Sequence, residues 1–229
     1  MPVDILIVTE AWKAAYPGAH VGVLAMRNVV NPAEHAALDE RRLELEDELR
    51  ARWAGGDRAA IKGLPVIGAY GRYYRKFKKT YHVQLQLESV ALKGRPIPRV
   101  AALVESMFMA ELKNLLLTAG HDLDAVEGPV TLGVSDGTQR YELMSGSEQQ
   151  TAEGDMTISD AHGVISSIIY GPDRRTRIGP GTRSALFTVY APEGVSERAV
   201  REHLEDIRHN VLLVTPDGQT EALEVVGAG

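Results

Sequence analysis

The chain has 229 residues, of which 44% are hydrophobic and 24% are charged, and its formal net charge is −6. These values are typical of an ordinary soluble globular protein. The chain has no cysteine, which excludes disulfides, thiolate metal sites and a cysteine nucleophile and suits a reducing compartment. Its first residues are unlike a signal peptide, and no apolar run reaches the length of a membrane span. We therefore expect a cytoplasmic protein without membrane segments.

Positive charge is concentrated in two segments of this acidic chain. Residues 61–113 carry 10 basic and 3 acidic side chains, and residues 171–190 carry 4 basic and 1 acidic. Such asymmetry can form a local anion-binding face despite a negative total charge. The alternative is that each segment is simply a solvated face.

The first elements are predicted to be two strands and a helix. Residues 4–9 and 20–29 are short β-rich apolar runs. Asn31 and Pro32 have the residue types of a helix N-cap and a first helical position. An apolar stripe follows at helical spacing: Leu38, Leu45, Leu49 and Trp53. This pattern predicts an amphipathic helix that ends at Gly55-Gly56.

A second helix is predicted from Pro65, and it carries the densest basic cluster of the chain. Its apolar stripe consists of Ile67, Tyr70, Tyr74 and Phe77. Five cations occupy other positions of the segment: Arg72, Arg75, Lys76, Lys78 and Lys79. Cations interleaved with tyrosines suit contact with phosphates or stacking on bases. We predict an exposed basic patch near the mouth of a cleft, with a solvated face as the alternative.

Two further helices are predicted before residue 117. Val83, Leu87, Val90 and Ala91 indicate the first of them, which ends at 94–96. Residues 100–116 are apolar nearly all round, which predicts a helix buried in the centre of the fold.

From residue 129 the apolar period changes from helical to two. This predicts strands at 130–134, 141–143, 156–158, 164–169 and 185–189. A helix capped by Ser196 is predicted over residues 196–209. A closing hairpin is predicted from two strands, at 211–214 and 223–226. Helices followed by a meander of strands predict one α+β domain, helical in its first half and rich in mixed or antiparallel sheet in its second.

Searches for catalytic and cofactor motifs give negative results. The chain has no dinucleotide fingerprint, no P-loop and no nucleophile elbow. Its seven histidines lack the spacing of metal ligands. His203 and His209 fall on a polar helix, and we predict that both lie at the surface. We expect neither a metal nor a cofactor.

Seven short motifs occur in order between residues 93 and 187. They are KGRPIP at 93–98, ALVE at 102–105, HDLDAVEG at 121–128, DG at 136–137, ISD at 158–160, IYGPD at 169–173 and TRSALF at 182–187. Together they resemble the B3/B4 domain, the aminoacyl-tRNA editing domain of the phenylalanyl-tRNA synthetase β-subunit. The resemblance covers about residues 70–200 and implies a three-layer fold of two sheets and helices. It also implies that 1–229 is a single domain, with the N-terminal strands and helix and the C-terminal helix and hairpin as additions.

The resemblance implies hydrolysis of an amino acid wrongly esterified to tRNA, with tRNA or aminoacyl-tRNA as the partner. Such a site must orient a labile ester, place a water and supply donors for the oxyanion. The family's histidine position falls on Ala119 in this chain, and His121, beside Asp122, is the nearest candidate for the proton acceptor. The glutamate of the family's glycine-rich loop matches Asp173, which would bind the α-ammonium group. Substrate binding would involve Glu105, Tyr170, Arg174 and Arg175. We predict that the pocket lies between the central helix and the sheet, where Arg174, Arg175 or Arg177 could hold a carboxylate or phosphate.

Three functions remain open from the sequence. The protein is a trans-acting aminoacyl-tRNA deacylase, a non-catalytic module that binds tRNA or a free amino acid, or an enzyme or regulator of a small molecule unrelated to tRNA. Simpler roles are also open for the two proposed catalytic residues. His121 could cap the turn at Asp122, and Asp173 could cap the turn that follows Gly171-Pro172.

Overall fold

The computed structural model describes residues 6–229, and in that range the chain forms seven α-helices and eleven strands. The helices are α1 (Glu10–Ala15), α2 (Ala36–Arg52), α3 (Arg58–Lys62), α4 (Pro65–Lys76), α5 (His82–Leu87), α6 (Ala102–Asn114) and α7 (Glu197–Val214). A π-helical turn, Glu88–Leu92, continues α5, and a 3₁₀ turn spans Leu123–Ala125.

The strands are β1 (Leu6–Val8), β2 (His20–Arg27), β3 (Leu117–Asp122), β4 (Val130–Val134), β5 (Arg140–Glu142), β6 (Glu148–Gln150), β7 (Met156–Asp160), β8 (Gly163–Ser167), β9 (Gly171–Pro172), β10 (Ser184–Ala191) and β11 (Gln219–Gly227). The start of the first predicted strand, at residues 4 and 5, lies outside the described residues. Strands β5 and β6 pair only with each other, as a hairpin.

A four-stranded antiparallel sheet, in the order β11-β2-β10-β3, occupies the middle of the fold. On one face Gly22 lies against α7, so closely that a Cβ there would come 2.6 Å from Val200. On the other face the Tyr190 hydroxyl hydrogen-bonds to Ser166 on β8. Because successive side chains of a strand point to opposite faces, the sheet has helices on one side and a second sheet on the other.

The second sheet has five strands in the order β1-β4-β7-β8-β9. Strand β1 runs parallel to β4, and the other neighbours are antiparallel. Helices, an antiparallel sheet and a mixed sheet confirm the predicted α+β fold. Buried apolar side chains from both sheets and from α2, α4, α6 and α7 form a continuous core.

The helix predicted to begin at Pro32, with Asn31 as its N-cap, begins at Ala36 instead. Asn31 and Pro32 form hydrogen bonds with the start of α6. The Asn31 carboxamide oxygen accepts the Leu103 amide at 2.9 Å, and the Pro32 carbonyl accepts the Ala102 amide at 2.9 Å. Both bonds satisfy free amides at the start of α6. Helix α2 therefore starts at Ala36 with His35 as its N-cap. Helices α1 and α3 have no counterpart among the predicted elements.

The buried helix predicted over 100–116 is shorter than expected. It ends at Asn114 because Leu115 takes a left-handed conformation, with φ of 62°. The chain then forms β3, an edge strand of the central sheet that the sequence analysis missed. Strand β3 contains His121, so this residue does not lie in the predicted turn.

The predicted closing hairpin is wrong in its first half. Residues 211–214 belong to α7, which continues to Val214 before the chain turns into β11. Val200, Leu204, Ile207, Val211 and Val214 are all buried along one helical stripe. This spacing of three or four residues extends the helical period through the apolar run.

Candidate functional site

A cavity of about 370 Å³ lies between α6, the edge strand β3 and the loop that joins β8 to β9. Its walls are mainly apolar: Val104, Met107, Phe108, Ile168, Ile169 and Ile178. A few polar groups also reach it, from His82, Glu111, Tyr170 and Arg177. Apolar walls with a small number of polar groups are typical of small-molecule sites. The cavity occupies the predicted position between the central helix and the sheet.

Glu111 is the most unusual group at the cavity. Its side chain lines the cavity although the residue is only 2% exposed. Its Oε1 atom accepts the Thr118 amide at 2.7 Å, and no other hydrogen bond or ion pair of this carboxyl occurs within residues 6–229. Burial raises the pKa of the Glu111 carboxyl to about 8, although the Thr118 amide opposes this shift. A buried acid with such a pKa in a cleft is a candidate functional residue.

The backbone of β3 contributes to the same wall. The amides of Thr118 and Asp122 point away from β10, since the first bonds to Glu111 and the second to the Thr176 carbonyl at 2.7 Å. Amide directions alternate along an antiparallel strand, so the amide of Gly120 points to the same side as these two. Gly120 lines the cavity. Residues 176–178 run along this same edge through a bridge between His121 and Arg177, and the Gly120 amide has no backbone acceptor there in the described part of the chain.

Gly120 also allows α6 to approach the strand closely. A Cβ at this position would come 2.8 Å from Ile178 Cδ1 and 3.0 Å from Met107 Sδ. Both side chains line the cavity. Glycine therefore keeps the two walls in contact at the base of the cavity.

Tyr170 connects the cavity to the basic segment. It is half-buried and lines the cavity, as predicted. Lys79 Nζ lies 5.5 Å from the centre of the Tyr170 ring, within the range of a cation–π interaction. Lys79 therefore lies at the rim of the cavity.

The basic patch consists of Arg72, Arg75, Lys76, Lys78 and Lys79, and all five are exposed. The predicted exposure is confirmed. None of the five forms an ion pair with a partner in the described part of the chain. Arg72 and Lys76 line a second, smaller cleft of about 170 Å³ beside Tyr16 and Tyr73. The patch thus extends along α4 from this cleft to the Tyr170 rim.

Glu105 does not line the cavity. It lies on the side of α6 that faces α2, where its Oε1 is 2.9 Å from Arg42 Nε. Both side chains are buried. Residues Val104 and Glu105 are consecutive and only the first contacts the cavity, because neighbouring residues of a helix point in different directions.

His121 and Asp173 come together, but beneath the surface. Thr176 donates its hydroxyl hydrogen to Asp173 Oδ1, so its oxygen accepts from His121 Nδ1 at 2.8 Å. His121 and Thr176 are fully buried, Asp173 is 4% exposed, and neither His121 nor Asp173 lines the cavity. Burial lowers the pKa of His121 to about 4. The three residues form an internal link between β3 and 173–177, and Asp173 caps that turn through the Thr176 amide.

Arg174 and Arg175 are engaged in ion pairs away from the cavity. Arg174 Nη1 lies 2.7 Å from Glu142 Oε1, and Arg175 Nη2 lies 2.8 Å from Asp160 Oδ2. Arg177, the third arginine of this segment, is exposed and lines the cavity. It is the cation of the three that is placed to meet a ligand.

The structure also corrects the predicted position of His203. This residue is fully buried, and its Nε2 atom is 2.7 Å from the Thr118 hydroxyl. Its Nδ1 atom faces the Asn114 carboxamide nitrogen at 3.3 Å. His203 thus links α7 to Thr118 of β3, the residue whose amide also holds the Glu111 carboxyl. Burial lowers the pKa of His203 to about 4.

The site residues predicted from the sequence did not include Glu111 or Gly120, which line the cavity, or His203, which supports Thr118 from α7. For Glu111 a signal was present, because it is a charged residue among Phe108, Leu112 and Leu115 in a helix that is apolar nearly all round. In the described range no group of three His, Asp or Glu side chains is arranged to hold a metal ion. No helix there combines the length and apolar character needed to cross a membrane.

Comparison with solved structures gives a weak resemblance of fold. No protein-family model matches the chain, and no curated protein sequence matches it. Among solved structures, the chain is similar to an N-terminal fragment of the phenylalanyl-tRNA synthetase β-subunit from Pyrococcus horikoshii. The TM-score is 0.46 and the identity 10%, over 96% of this chain and 49% of that one. The chain thus spans about half the length of the fragment.

Proposed function

We propose that the protein binds the aminoacyl end of tRNA in the α6–β3 cavity and hydrolyses the ester. The observation that carries this proposal is Glu111, a buried carboxyl without a cationic partner in residues 6–229, which opens onto an apolar cavity. The basic patch reaches the rim of the same cavity through Lys79. The seven short motifs that resemble those of the B3/B4 domain support the same function. The cavity is large enough for a small group, whereas the patch offers the charge that a tRNA backbone requires.

In this proposal Glu111 replaces His121 as the proton acceptor. A general base works best when its pKa lies near the working pH, and the pKa of Glu111 is about 8. The carboxylate takes a proton from water while the water oxygen bonds to the ester carbonyl carbon. The bond to the ribose oxygen then breaks, and the proton passes from Glu111 to that oxygen. The products are a free amino acid and tRNA with its hydroxyl restored.

The amide of Gly120 is the group proposed to stabilise the oxyanion. It is two residues from Thr118 along β3, so the two amides lie roughly 7 Å apart. Thr118 holds the carboxyl of Glu111, and in this proposal the water and the ester carbonyl lie between that carboxyl and the Gly120 amide. A backbone donor in a site shielded from water is effective because it needs no reorganisation during the reaction.

A second candidate function is binding of a free amino acid without RNA. The exposed guanidinium of Arg177 at the cavity favours it, because arginine binds carboxylates in a bidentate geometry and a free amino acid carries one. An aminoacyl ester has no such carboxylate. The two functions therefore differ in their dependence on Arg177 and on the basic patch.

The test is a hydrolysis assay on a panel of correctly and wrongly charged tRNAs, paired with filter binding of uncharged tRNA. We expect cleavage above the spontaneous rate and a loss of about 10²–10⁴ in rate for Glu111→Gln, with tRNA binding unchanged. Glu153→Gln is the matched control, since Glu153 is exposed and does not line the cavity. Binding without cleavage of any member of the panel would leave only a tRNA-binding module. Binding of free amino acids that is lost in Arg177→Ala, without tRNA binding, would favour the second candidate.

A further inference from the structure

Phe108 separates two spaces in the structure. On one side it lines the cavity of about 370 Å³ that contains Glu111. On the other side it lines an apolar recess of about 110 Å³, whose other walls include Val90, Ile97 and Leu112. Phe108 is half-buried, and it is the one residue that the two linings share. The aromatic side chain is therefore the partition between them.

The position of Phe108 on α6 makes this partition relevant to the ligand. Phe108 lies three residues before Glu111, and residues with that spacing are neighbours on one face of a helix. If the carbonyl of a bound aminoacyl group lies beside Glu111, the side chain of that amino acid lies within one helical turn of Phe108. Every wall of the recess beyond is apolar apart from Gln86 and Ser89, so an extended apolar group would find favourable contacts there.

The geometry points to Phe108 as the residue that sets the length of the acyl side chain the cavity accepts. This inference rests on the proposed function, because it assumes that the cavity takes an aminoacyl group with its carbonyl near Glu111. The substrate class is then an amino acid with an apolar side chain that ends at the Phe108 ring. Replacing the ring by a small side chain joins the recess to the cavity and admits a longer group in the same direction.

The experiment measures binding of three L-amino acid amides of increasing length by calorimetry: leucinamide, phenylalaninamide and 4-phenylphenylalaninamide. These probes keep the α-amine and the carbonyl, and none carries a carboxylate. For Phe108→Ala we expect the affinity for the longest amide, relative to leucinamide, to rise at least about tenfold over the wild type, the order of gain that extra apolar contacts give in a pocket. Phe108→Leu, a smaller change, should give an intermediate shift and serves if the alanine variant does not fold.

Leu112→Ala is the matched control, because it enlarges the recess but keeps the Phe108 partition. It should leave the relative affinities as in the wild type. The inference is overturned if folded Phe108 variants rank the amides as the wild type does, if Leu112→Ala produces the same shift, or if none of the three amides binds any of the proteins. Deacylation of charged tRNA is measured on the same proteins. A shift in amide ranking without any deacylation would reject the proposed reaction while the role of Phe108 stands.

Discussion

Tyr73 on α4 donates its hydroxyl hydrogen to Asp155 Oδ1 over a distance of 2.5 Å, and both residues are buried. The same hydroxyl accepts the Met156 amide at 2.7 Å. The other carboxyl oxygen of Asp155 accepts from the Ser167 hydroxyl and from the Ile169 amide. Ser167 and Ile169 line the cavity. One carboxyl thus connects the helix that carries the basic patch to the wall of the candidate site.

Replacing Tyr73 by phenylalanine should destabilise the protein. The change leaves the Met156 amide buried without its acceptor and removes one of the donors to Asp155. A buried polar group without a partner costs about 1–3 kcal/mol. Urea denaturation at pH 7 measures the free energy of unfolding. Tyr170→Phe is the control, since the hydroxyl of Tyr170 has no hydrogen bond in the described part of the chain. Equal losses in the two variants would contradict this account.

Glu111→Gln should stabilise the protein, and more so at higher pH. The pKa of Glu111 is about 8 in the folded protein against an ordinary value of 4.5, so the folded state binds the proton more tightly. Stability therefore falls as pH rises from about 4.5 to about 8, by as much as a few kcal/mol. A glutamine cannot ionise and escapes this loss. Unfolding free energies at pH 5, 7 and 9 should show a growing advantage for the variant. An advantage that does not change with pH would mean that Glu111 is not the titrating group.

The helical and strand periods of the sequence predicted most of the fold because they depend on burial of local side chains. Helix α4 with its buried Tyr70 and Tyr74, the buried α6, and most strands after residue 129 are where the spacing put them. The wrong predictions arise where a residue with the chemistry of a local helix cap or turn instead forms its contacts with an element distant in sequence. Asn31 has the chemistry of an N-cap, but it caps α6 rather than the helix that follows it in sequence.

The location of the candidate site could be predicted from the sequence, but most of its residues could not. Residues 170–172 do line the cavity, whereas His121 and Asp173 point into the interior. His121 does so because the side chain of every second residue of β3 turns away from the helix layer. Asp173 is held in the interior by its hydrogen bonds to Thr176. Glu111 became a site residue because the left-handed Leu115 returns the chain onto α6 and places the Thr118 amide against its carboxyl. Neither the left-handed turn at Leu115 nor the hydrogen bond between Thr118 and Glu111 can be read from the local sequence.

His203 should make the protein sensitive to acid. Its pKa is about 4 in the folded protein against an ordinary value of 6.5, so protonation favours the unfolded state. The stabilising contribution is complete above about pH 6.5 and is lost as pH falls towards 4. His203→Gln keeps a donor for the Thr118 hydroxyl but does not titrate, so its stability should fall less between pH 6.5 and 4.5. His209→Gln, an exposed position six residues further along α7, should retain the wild-type slope. His121, whose pKa is also about 4, should leave a residual slope in the His203 variant.

The basic patch should control the salt dependence of tRNA binding. Each phosphate contact that a cation makes contributes roughly 0.7–0.9 to the slope of log affinity against log salt. Replacing Arg75 and Lys79 together by alanine should therefore weaken binding at low salt and reduce the slope by roughly one to two. The melting temperature should change little, because exposed substitutions usually alter stability by less than about 0.5 kcal/mol.

Arg198→Ala with Arg201→Ala is the control for this double variant. It changes the net charge by the same amount, and both arginines are exposed on α7, where they pair with Glu202 and Glu197. If tRNA recognition depends on the position of the patch beside the cavity, the control should keep the wild-type slope in filter-binding titrations over a range of salt. If both double variants lose the same slope, binding reflects net charge alone. The position of the basic patch beside Tyr170 and the cavity would then have no role in tRNA binding.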